Sequence, residues 1–97
     1  MNTYHKNDNL LTCILQGKID TMNCAVLENE ISEQMSSDIT AVTFDMGDVD
    51  YISSTFLRIV IRLVKALGKE KFIISNVQPS VMKVFKISNL AEIVTIN

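Results

Sequence analysis

Short β-branched runs alternate with stretches of helical period along this 97-residue chain, and that alternation most limits the folds open to it. Residues 41–46 (AVTFDM) and 71–75 (KFIIS) are short, apolar at their centres and rich in strand formers, the pattern of buried strands. Between them a helix is expected from Ser54 or Thr55 to Leu67, with Gly68 as its stop. Upstream, residues 3–6 read as a strand, Asn7-Asp8-Asn9 as a turn, and residues 10–16 as a second strand that Gly17 ends. On that strand Leu11, Cys13 and Leu15 share a face, and Leu10 and Ile14 make the other face apolar enough to predict cover on both sides. Asp20 or Thr21 can cap a helix through Met35 that turns Cys24, Leu27, Ile31 and Met35 inward. Residues 47–52, with Asp48 and Asp50, read as a loop. Pro79 opens a third helix with Val81, Val84 and Phe85 on its inner face. Asn89 takes the stop position after it, and residues 93–96 form the last strand. The order β-β-α-β-α-β-α-β predicts an α/β fold: a mixed sheet of four to five strands with helices packed against it, in one domain over residues 1–97.

Composition removes most function classes. Nine basic and eleven acidic residues give a net charge of −2 without a basic cluster, which argues against a nucleic-acid partner. Arg58, Arg62 and Lys65 interrupt the longest apolar stretch, and the polar start lacks a signal-peptide core, so a cytoplasmic protein with no membrane insertion is expected. One histidine and two cysteines at unsuitable spacing leave no metal site, and no cofactor is expected. Cys13 and Cys24 would be the candidate nucleophiles of an enzyme; both fall on core faces without basic neighbours, so a non-catalytic protein is expected. Met22, Met35, Met46 and Met82 read as packing residues.

Two features stand out against this background. Ser53, Ser54 and Thr55 put three hydroxyls where the loop after a buried strand hands over to a helix, more than one cap requires. The helix that follows is apolar around most of its circumference, with Arg58, Arg62 and Lys65 on one narrow stripe. Nothing in the sequence covers Phe56 or Leu57 in its first turn, so an exposed apolar edge beside the hydroxyls is expected, the usual mark of a protein contact.

The Gly17-Lys18-Ile19-Asp20-Thr21 turn, the Tyr51-Ile52-Ser53-Ser54 to Leu57-Arg58 segment and the residues 84–90 (VFKISNL) resemble a STAS domain, more narrowly a bacterial anti-sigma factor antagonist. The resemblance implies a phospho-switch: the unmodified protein binds an anti-sigma factor that is also its serine kinase, phosphorylation ends the contact, and a phosphatase restores it. It implies Ser54 as the phosphoacceptor, with Ser53 and Thr55 as alternatives. The implied partner surface comprises Asp20, Thr21, Ser53, Ser54, Thr55, Phe56, Leu57 and Arg58. The chain departs from the family pattern in having Ser53 for an Asp and Phe56 for a Gly. A second reading follows from those departures: an unphosphorylated accessory subunit that docks on the ATPase of a membrane transport complex, with Phe56 as its anchor.

Overall fold

The computed structural model describes residues 2–97. Its strands are β1 (Thr3–Asn7), β2 (Leu10–Ile19), β3 (Ala41–Ile52), β4 (Phe72–Ser75) and β5 (Thr95–Ile96). Its helices are α1 (Thr21–Gln34), α2 (Ser54–Leu67) and α3 (Pro79–Ile87), with a 3₁₀ turn at Leu90–Glu92. The strands form one sheet in the order β1-β2-β3-β4-β5, with β1 antiparallel to β2 and every other pair parallel. The β-β-α-β-α-β-α-β order is therefore as the sequence indicated, and Asn89 takes the left-handed conformation (φ 64°) that ends α3.

Each crossover steps the same way across the sheet, and right-handed connections stepping one way put their helices on one face. Burial agrees. Leu11, Cys13, Leu15, Val42, Phe44, Met46, Phe72 and Ile74 are fully buried, while their alternates Thr12, Ile14, Thr43, Asp45, Ile73 and Ser75 are only half-buried. The expected cover on both faces of β2 is thus wrong: Leu10 and Ile14 lie on the face that carries no helix. A half-exposed apolar residue costs little, so their hydrophobicity did not require a second layer.

Two further departures share one cause. Gly17 does not end β2; at φ 79° it sits among register shifts at residues 14–18, and the strand runs on to Ile19. Residues 47–52 are not a loop but the second half of β3, pairing with that extension: Gln16 opposite Asp48, Gly17 opposite Val49, Lys18 opposite Tyr51 and Ile19 opposite Ile52. Bulges let a strand absorb a positive-φ glycine and bend without losing its partner. The extended pair carries the chain farther than two short strands would, and delivers residues 17–21 beside the start of α2. Backbone N–H of Ser53 donates to the carbonyl of Ile19 at 3.0 Å, joining the two segments.

The core beneath α2 is aromatic. The Phe44 ring packs edge-on against Phe72, with centroids 5.0 Å apart and planes at 89°, and lies 5.9 Å from Phe56. All three are fully buried. Phe56 therefore does not form an exposed edge; it is drawn inward because Phe44, twelve positions earlier, presents an aromatic face to it. Met22 departs in the opposite direction: it is 81% exposed, whereas Met46 is fully buried and Met35 and Met82 are half-buried.

Candidate functional site

Three local structures converge at the C-terminal end of β3. Asp20 is the N-cap of α1, where its carboxylate accepts from backbone N–H of Asn23 at 2.9 Å. Asn23 in turn donates through its side-chain amide to the carbonyl of Lys18 at 2.7 Å, which holds the turn against the helix. Ser53 is the N-cap of α2: its extended backbone leads in from β3, and its hydroxyl accepts from backbone N–H of Phe56 at 3.3 Å. The carboxylate missing at this position, relative to the Asp of the resembled pattern, is thus replaced in its capping role by the Ser53 hydroxyl.

The three hydroxyls are not equivalent. Ser53 is half-buried and engaged, capping α2 and lying 3.6 Å from the Cys24 sulfur. Thr55 is half-buried, with its hydroxyl 3.4 Å from that of Thr21 on the neighbouring helix. Ser54, the first residue of α2, is exposed, and its side chain has no hydrogen-bond partner among the described residues. The geometry brings Asp20, Thr21, Ser53, Ser54 and Thr55 together, with half-buried Leu57 and exposed Arg58 on the turn that follows. It does not offer Phe56, which faces the core. Sequence reading missed two neighbours of this cluster. Cys24 lies under the Ser53 cap, and Met22 projects to solvent beside Thr21. Met22 could have been found, since it shares a helical face with Val26, Asn29 and Glu33, opposite Cys24, Leu27 and Ile31.

The charges around the cluster are mostly paired. Lys18 Nζ lies 3.8 Å from Asp50, and Arg62 lies 3.5 Å from Glu28 of α1. Burial pushes the Cys13 thiol up to about 12, and burial also raises Cys24, with the contact to Ser53 opposing the rise. Both thiols stay protonated near neutral pH, so neither is poised as a nucleophile. Among the described residues no group of three His, Cys, Asp or Glu side chains could hold a metal, and no helix is long and apolar enough to cross a membrane.

The Ser53 cap makes a simple prediction. Ser53→Ala should destabilise the domain by about 1 kcal/mol, the usual loss for a helix cap, read as a lower urea midpoint at unchanged slope. An unchanged midpoint would show that the Ser53 hydroxyl contributes nothing to the start of α2.

Comparison with known proteins points in one direction. The family model described as the STAS domain matches residues 2–97. The protein BtrV of Bordetella bronchiseptica, named as an anti-sigma factor antagonist, is 34% identical over 93 residues, which cover 94% of this chain and 80% of BtrV. Among solved structures, a protein of Thermotoga maritima described as an anti-sigma factor antagonist superposes with a TM-score of 0.86 at 17% identity, covering 98% of this chain and 84% of that one. The anti-sigma factor antagonist SpoIIAA in its unphosphorylated form superposes with a TM-score of 0.82 at 18% identity, over 100% of this chain and 88% of the other. The phosphorylated form of SpoIIAA, from Bacillus, gives 0.75 at 17% identity, over 100% and 91%. At these identities the structures speak for the fold alone.

Proposed function

The chain belongs to the STAS domain family, with the anti-sigma factor antagonists, and from that premise we propose that it is a protein-interaction switch worked by phosphate on Ser54. Bare at Ser54, it binds an anti-sigma factor that is also its serine kinase and so frees a sigma factor. Phosphorylation ends the contact, and a phosphatase restores it. The observation that carries this reading is the inequality of the three hydroxyls: Ser53 and Thr55 are engaged, and Ser54 stands exposed and unpartnered among the described residues.

The physics of the position supports a switch that leaves the domain folded. A phosphate on the first residue of α2 would meet the free N–H groups and positive dipole end of a 14-residue helix whose first turn holds no acidic side chain. A partner seated on Ser54, Leu57 and Thr21 would have to desolvate a group carrying about −1.5 to −2 charge, which is costly. The inward ring of Phe56 leaves the acceptor unobstructed. The same burial favours this reading over docking on a transporter ATPase with Phe56 as the anchor.

Intact-mass measurement after incubation with the cognate anti-sigma kinase and ATP tests the reading. One phosphate, about 80 Da by its chemical composition, is expected on the wild-type chain, mapped to Ser54 by fragmentation and absent from Ser54→Ala. Phosphate on Ser53 or Thr55 would refute the assignment, and no gain in mass would refute the switch.

A further inference from the structure

The helix that begins at Ser54 carries Arg58, Arg62 and Lys65 and no acidic residue, inside a chain whose net charge is −2. These cations and Ile61 line one shallow groove along the outer face of α2. They differ in what they are already doing. Arg62 lies 3.5 Å from Glu28 of α1, and across the site Lys18 lies 3.8 Å from Asp50. Lys65 stands about three turns from Ser54, beyond the reach of a side chain on the first turn. Arg58 is exposed and has no ionic or hydrogen-bond partner among the described residues. It stands four residues after Ser54, about 6 Å along the axis, on the same helical face.

We propose that Arg58 is the intramolecular ligand of the Ser54 phosphate. This rests on the reading of Ser54 as the phosphoacceptor and adds a device to it. A guanidinium presents a planar fork of donors that matches a phosphate's oxygens in pairs, and a dianion attracts it more strongly than a carboxylate would. With the acidic residue first and the basic one four later, the pair runs in the favourable sense along the helix dipole. The phosphate is then held by helix N–H groups from below and by Arg58 from beside, and a cation that has no ionic partner among the described residues is taken up.

The test uses the full chain with phosphoserine inserted at position 54 during synthesis, so that no kinase is involved. The second ionisation of that phosphate is followed by phosphorus NMR in the wild-type chain and in Arg58→Gln, Arg58→Lys and Arg62→Gln. A neighbouring cation favours the dianion and lowers its pKa. Arg58→Gln should therefore titrate about half a unit or more above wild type, Arg58→Lys between the two, and Arg62→Gln with wild type. An unchanged titration in Arg58→Gln overturns the proposal. So does an equal shift in Arg62→Gln, since that would be the general field of the helix. Either result leaves the kinase experiment standing, and a kinase that ignores Ser54 would leave the titration standing.

Discussion

Phe56→Ala is expected to lower the unfolding midpoint by roughly 15–25 °C, because the ring is fully buried against Phe44, 5.9 Å away, beneath the start of α2. Deleting a buried Phe side chain costs about 3–5 kcal/mol, the lost transfer energy plus the cavity left behind. A domain of this size has only about 5–15 kcal/mol in hand, so the variant should be folded in the cold and marginal near 37 °C. Partial collapse of the cavity onto the neighbouring Phe44 would bring the loss toward the lower figure. Thermal melting by circular dichroism checks it. A midpoint within about 5 °C of wild type would mean that Phe56 is not held in the core, and would reopen its use as a partner contact. Phe56→Leu, which keeps most of the volume, should fall much less.

That result bears on how a family pattern reads when one residue differs. On a helical wheel Phe56 and Leu57 are two apolar residues in a first turn to which the sequence assigns no cover, and the wheel does not distinguish them. What separates them is Phe44, which lies twelve positions away in sequence and is brought opposite by the packing of α2 over β3. No local signal carries that information. The order of elements was legible for the opposite reason. Each strand and helix declares itself through apolar periodicity and through stops such as Gly68 and Asn89, all of them local. The second half of β3 was hidden because Gly47, Asp48 and Asp50 carry turn chemistry, and only pairing with the bulged end of β2 turns them into strand. At the site the hydroxyl cluster could be seen in the sequence, but the division of labour within it could not. Which hydroxyl is free depends on Thr21 and Cys24, contributed by a different helix.

Ser54→Asp should lose about a hundredfold or more in affinity for the anti-sigma factor while melting within a few degrees of wild type. The two halves of that expectation come from the two sides of one residue. On the inner side, position 54 opens α2, and a carboxylate there replaces a neutral group at the positive end of the helix. This contributes about 0.3–1 kcal/mol of stability, so the melting point should hold or rise slightly. On the outer side Ser54 is exposed, and a partner covering it must strip water from whatever it carries. Burying an unmatched carboxylate costs several kcal/mol, and about 2.7 kcal/mol already corresponds to a hundredfold in affinity. Aspartate carries one charge where phosphate carries nearly two, so the variant gives a lower bound on the modified protein's loss. Ser54→Asn, close to Asp in size but neutral, separates charge from bulk and should bind within about tenfold of wild type. Isothermal titration with the anti-sigma factor measures all three. Wild-type affinity in Ser54→Asp would sink the electrostatic switch, and equal losses in the Asp and Asn variants would replace it with a steric one. If affinity and melting point fell together in Ser54→Asp, the switch would act by loosening the helix start, contrary to the cap geometry at Ser53.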